Sequence, residues 1–116
     1  MTAHDDLVEH ALGFPEAWQD TPWEDDLVAK VGKKIFVFLG SGDPPSVGVK
    51  LPESAEQALL SEAVSKMAYG LGKWGWVTVR LDHPEAPDNG VLEDWIEESY
   101  RAVAPKKLIA RLDAEG

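Results

Sequence analysis

Apolar residues recur along this chain with two different periods, and the switches between them divide it into elements. Leu7, Val8, Ala11 and Leu12 recur at helical spacing, so the opening segment predicts a helix. Thr2 is its candidate cap, Asp5 and Asp6 lie near its positive end, and Gly13 follows it. Glu16 to Asp26 is acidic and carries Trp18 and Trp23, which predicts an irregular or short extended stretch pinned to the core by its rings. Leu27–Val31 then reads as a strand, Gly32-Lys33-Lys34 as a turn, and Ile35–Leu39 as a strand apolar on both faces and hence central. After the loop Gly40–Pro45, Ser46–Leu51 alternates, with Val47, Val49 and Leu51 inward and Gly48 and Lys50 outward.

Pro52 is suited to the first turn of a helix, and Ser54 with Gln57 has the spacing of a capping box. Ala55, Ala58, Leu59 and Ala63 extend that helical pattern toward Gly70. Trp76–Leu81 returns to period two, sending Val77, Val79 and Leu81 to one face and Trp76, Thr78 and Arg80 to the other. Trp74 shares the side of Trp76 in a regular strand, whereas a bulge at Gly75 re-aims one ring. A Trp pair there serves either as a stacking platform or as a buried anchor under a loop. A loop over residues 83–90 precedes a long helix from about Val91 to Val103, striped by Leu92, Trp95, Ile96, Tyr100 and Val103. Pro105 interrupts it, and Lys106–Leu112 adds at most a final turn, with Lys106 and Lys107 complementing the preceding helix dipole.

Short connections between consecutive strands imply antiparallel pairing, so the expected class is α+β: a twisted antiparallel β-sheet backed by helices on one face. The length, 116 residues, predicts a single domain over 1–116. Nothing approaches the length of a membrane span, and the N-terminus lacks the charge and apolar pattern of a secretory leader, so a cytoplasmic monomer is expected. The absence of cysteine excludes disulfides, thiolate metal sites and a Cys nucleophile.

Net charge is −10 but unevenly placed: −8 over residues 1–26, +3 over 27–81 and −5 over 82–116. The only positive third is the sheet-forming one. If the alternating strands place their aliphatic residues inward, Lys50, Trp76 and Arg80 share the outer face, joined by Lys30, with Lys33 and Lys34 in the adjoining turn. Cations interleaved with an aromatic suit a phosphate backbone with a ring stacked beside it. A solvated strand face with charges that block aggregation has the same pattern.

Other candidate chemistry is sparse. Tyr100 belongs to the apolar stripe and calls for a buried acceptor for its hydroxyl; Ser99 and Arg101 beside it lack a base or triad partner. His4, His10 and His83 form no zinc-ligand pair. Asp5, Asp6, Glu9, Glu16, Asp20, Glu24, Asp25 and Asp26 crowd the first third, and clustered carboxylates suit hard cations or a basic partner. No catalytic set, cofactor site or committed metal site emerges.

Six segments occur in a telling order: Gly13-Phe14-Pro15, Val31-Gly32-Lys33-Lys34-Ile35-Phe36, Val47-Gly48-Val49-Lys50-Leu51, Trp76-Val77-Thr78-Val79, Glu98-Ser99-Tyr100-Arg101 and Ala104-Pro105-Lys106-Lys107-Leu108. Over about residues 5–109 the chain resembles the MmcQ/YjbR family of small bacterial proteins. The resemblance implies a frataxin/CyaY-like fold and the DNA-binding label attached to the family through a "double wing" of hairpins. The corresponding wing here, residues 40–46, holds Asp43 and no Lys or Arg. The expectation is therefore a noncatalytic module binding DNA or another anion through Lys30, Lys33, Lys34, Lys50, Trp76 and Arg80. The alternative is a protein-interaction or metal-binding module using the acidic N-terminal region.

Overall fold

Period-two alternation of aliphatic residues can be satisfied only by a sheet with one face against a core, and that is what these strands build. A computed structural model describes residues 3–23, 26–40, 45–67 and 71–115. The Thr2 cap, Glu24 and Asp25, Asp43 in the wing and Gly70 lie outside the described residues. The order is α1 (Ala3–Leu12), β1 (Ala17–Trp23), β2 (Asp26–Val31), β3 (Lys34–Gly40), β4 (Ser46–Lys50), α2 (Ala55–Ala58), β5 (Val64–Lys66), β6 (Trp76–Arg80), α3 (Asn89–Val103) and α4 (Lys106–Glu115). A 3-10 turn over Leu71–Trp74 precedes β6. The sheet is antiparallel with strand order β1-β2-β3-β4-β6-β5.

The α+β class, the central place of β3 and the inward aliphatic residues agree with the sequence pattern. Ala29, Val31, Val37, Val47, Val49, Val77 and Val79 form one buried cluster with Leu7 and Ala11 of α1, Leu92, Ile96 and Tyr100 of α3, and Leu108 of α4. Each fully buried aliphatic side chain contributes about 1.5–3 kcal/mol. Tyr100 is wholly buried, stacks on Phe14 at 4.8 Å between centroids, and donates its hydroxyl hydrogen to the Pro15 carbonyl at 2.8 Å. The acceptor expected for this hydroxyl is thus a backbone carbonyl beyond α1.

Strand β3 puts more than alternate residues into the core. Register shifts against β2 leave Phe36 and Leu39 as extra residues, each a β-bulge, so Phe36, Val37 and Leu39 are all buried. Between β3 and β4 the pairs are Val37 with Val49 and Phe38 with Gly48. One step further, Ser99 of α3 inserts its hydroxyl: it accepts from the Lys50 N–H at 2.8 Å and donates to the Phe36 carbonyl. A helix side chain therefore replaces a ladder bond at the bulge. Ser99, set aside as a nucleophile, is fully buried and engaged on both sides.

Three local expectations are corrected and two open alternatives, at residues 17–23 and at Gly75, are decided. Residues 17–23 form a seven-residue edge strand, because β2 supplies the backbone partners that the polar sequence does not announce. The helix expected from Pro52 toward Gly70 is a single turn, and β5 follows it, since Val64 is taken into the core opposite Val79. Ser54 makes no capping bond from its side chain; it donates to Glu98 Oε1 at 2.6 Å, while Glu98 Oε2 accepts from the Glu53 and Ser54 amides. Lys106 and Lys107 stand in the first turn of a ten-residue helix, because Pro105 opens α4 rather than ending the fold. Gly75 at φ +92 turns the chain so that Trp74 lies in the 3-10 turn, 63% exposed, apart from the strand that holds Trp76.

Candidate functional site

The helices pack on the side of the sheet that carries the aliphatic cluster, so among the described residues the opposite face has no helix over it. Cross-strand pairing arranges that open face in rows, because directly opposed residues share a side. One row runs Asp20–Val28–Phe38–Gly48–Thr78–Ser65, and Val28 and Gly48 in its middle are buried although no helix lies over them among the described residues. Beside it lie two separate pieces: Trp18 paired with Lys30 and Lys30 with Ile35, and, past the Phe36 bulge where Ser99 interrupts the ladder between β3 and β4, Lys50 paired with Trp76. Trp18 and Trp76 are four strand spacings apart, with Lys30, Ile35 and Lys50 on the strands between, so at roughly 4.8 Å per strand they are separated by at least about 19 Å across the sheet.

Short-range contacts hold these groups. The Trp18 indole N–H donates to the Gly32 carbonyl at 3.0 Å, which anchors the ring to the β2–β3 hairpin. Lys30 Nζ lies 5.2 Å from the centroid of that ring and 2.8 Å from Asp20 Oδ2. The hydrogen bond from Lys30 holds the Asp20 carboxyl below the usual carboxylate range, with the Thr21 amide adding to the effect. The Trp76 ring meets Phe38 edge to face at 5.3 Å. Gly48 leaves a slot beside them: a Cβ there would lie 2.4 Å from Met67 Cε and 3.2 Å from Phe38 Cβ. Met67 thus fills the middle of the face from the segment after β5.

The structure brings together part of the expected set. Lys30, Lys50 and Trp76 share one face, Lys50 and Trp76 as a direct cross-strand pair. Arg80 is on the same face but four residues along β6, about 13 Å from Trp76, opposite Ser46. Its guanidinium forms a forked pair with Asp82, both contacts 3.1 Å, and that hydrogen bonding lowers the Asp82 pKa. Lys33 and Lys34 sit apart from these residues at the hairpin tip, where Gly32 at φ +62 makes the turn. Lys34 opposes the core residue Val31 and so belongs to the helix side of the sheet.

Trp18 was not among the expected site residues, and Asp20 was counted only with the acidic N-terminal region of the alternative reading. No strand pattern singles them out in the sequence, and only the β1–β2 register sets them beside Lys30. The acidic region is partly engaged elsewhere: Asp20 pairs with Lys30, and Glu16 lies 3.6 Å from Arg111. Among the described residues no three His, Asp or Glu side chains are grouped to hold a metal ion. None of the described helices is long and apolar enough to cross a membrane.

The YjbR family model matches residues 12–102. A crystal structure of a Deinococcus radiodurans protein of the DUF419 family is similar, with 28% identity and a TM-score of 0.70, covering 85% of this chain and 78% of that one. A Pseudomonas syringae protein structure aligns with a TM-score of 0.67 at 20% identity, covering 85% of this chain and 97% of its own, a likeness of fold. Among curated proteins none matches the chain.

Proposed function

The chain belongs to the YjbR family, and from that premise we propose that it is a noncatalytic binding module that holds an anionic ligand, nucleic acid foremost, on the open face of its sheet. The observation that carries this reading is a pair of Lys–Trp cross-strand neighbours, Lys30 with Trp18 and Lys50 with Trp76, on the side of the sheet without a helix among the described residues. Lysines on a sheet face neutralise phosphates without selecting a base, and indole rings offer π-faces that any base can meet. Affinity in this arrangement comes from charge neutralisation and stacking.

Two of the three cations on the face already have acids, Asp20 for Lys30 and Asp82 for Arg80. The Arg80 pair is half-exposed, and such pairs are weakly held, so a phosphate can take the place of the carboxylate. Lys50 has no carboxylate within ion-pair distance among the described residues and is the cation most ready for a ligand.

Fluorescence anisotropy with labelled single-stranded and duplex DNA, at low and physiological salt, tests the reading. Salt-sensitive binding should disappear in the triple variant Lys30→Glu, Lys50→Glu, Arg80→Glu. Binding that survives the triple reversal, or no binding of either DNA at low salt, refutes it.

A further inference from the structure

We infer that the ligand of the open face is a single nucleic-acid strand lying across the β-strands, its bases stacked at Trp18 and Trp76 and its phosphates at Lys30 and Lys50, with Asp20 holding the Lys30 position until the strand displaces it. This deepens the binding reading above and rests on it.

Three observations favour a single strand over a duplex. The first is the order of groups. Each lysine is one strand spacing from a tryptophan, so a phosphate at either lysine brings its own base within reach of a ring. A duplex hides its base faces inside the stack and gives those rings nothing to meet. The second is relief. Trp76 lies edge to face against Phe38 in the surface of the sheet, and Met67 fills the slot over Gly48. Such a surface is a platform and presents no helix or ribbon to a groove. The third is charge. Two lysines on a chain of net charge −10 supply little of the electrostatic attraction a duplex needs, so stacking must carry a large share.

Asp20 follows from the same geometry. Its Oδ2 is 2.8 Å from Lys30 Nζ, the distance a phosphate oxygen would take, and Lys30 lies over the Trp18 ring. In the free protein the carboxylate occupies the anion position beside one of the two stacking rings. A bound strand exchanges the carboxylate for its own phosphate and gains the ring.

The test uses a short labelled oligothymidylate and a duplex of equal length. Oligothymidylate should bind about fivefold tighter or more, and should quench tryptophan fluorescence in the unaltered protein. The logarithm of its affinity should fall with the logarithm of salt at a slope near −1.4, the value for about two phosphates on a single strand. Trp76→Ala should weaken binding about fivefold or more, and Trp18→Phe should remove part of the quench should the alanine variant fail to fold. Trp74→Ala, out on the 3-10 turn, should change nothing. Asp20→Asn should tighten binding about two- to fivefold, whereas Asp94→Asn on α3, which removes the same charge from the helix side, should not. A duplex that binds as well as the single strand, with no quench and no effect of Trp76→Ala, overturns the single-strand assignment while leaving the face as the anion site if Lys50→Glu still abolishes binding. Binding of neither probe overturns both.

Discussion

Replacing Ser99 by alanine probes a place where a helix side chain completes the sheet. On an exposed helix surface this change stabilises by about 0.5 kcal/mol, because alanine is the better helix former. Here the sign should reverse. The hydroxyl accepts from the Lys50 N–H at 2.8 Å and donates to the Phe36 carbonyl, and the residue is fully buried, so its loss strands one backbone donor and one acceptor away from water. Each stranded group costs about 1–3 kcal/mol, and partial closure of β3 onto β4 recovers some of it. A net loss of about 2–4 kcal/mol is expected, a large part of the 5–15 kcal/mol typical of a domain this size. Urea denaturation should show a lower midpoint at unchanged slope, and Tm should fall by roughly 3–6 °C for each kcal/mol. Hydrogen exchange gives the local readout: the Lys50 amide should lose protection ahead of its neighbours. A variant as stable as the parent, with Lys50 equally protected, would refute the argument.

Other outcomes follow from single contacts. Tyr100→Phe leaves the buried Pro15 carbonyl without its 2.8 Å donor and should lower stability by about 1–2 kcal/mol in the same denaturation assay. Gly75→Ala forces a side chain onto φ +92 with its Cβ 3.2 Å from the Leu51 carbonyl oxygen, a backbone neighbour that cannot step aside; about 1–3 kcal/mol should be lost. Gly32→Ala, at φ +62 in open space, should cost only the backbone strain, about 1–2 kcal/mol, so the two melts compared separate crowding from conformation. The hydrogen bond from Arg101, 2.7 Å long, holds the Asp113 carboxyl below its usual range and ties α4 to α3. A lowered pKa in the folded state stabilises above the ordinary carboxylate value, near pH 4, and that contribution fades as pH falls through the lowered value. Amides of α4 should therefore exchange faster at about pH 3 relative to α3 than at neutral pH, and Asp113→Asn should erase the difference.

Periodicity alone settled much of this protein. Strands β2, β3, β4 and β6 and helix α3 were legible because a period of two or 3.6 is local. From it came the α+β class and the outward placing of Lys30, Lys50, Trp76 and Arg80. The edge strands β1 and β5 were not legible: Gln19, Asp20 and Pro22, or Ser65 and Lys66, carry no strand pattern, and their backbones pair because a neighbouring strand offers an edge. The same is true of function-bearing detail. That Trp18 stands beside Lys30 and Trp76 beside Lys50, that Asp20 faces Lys30, and that Ser99 bridges Phe36 and Lys50 all join residues 10 to 63 positions apart. Which face a side chain takes is a property of its own strand, written in the residues beside it. Which other side chain it meets depends on register, bulges and strand order, and these exist only once the chain has closed on itself.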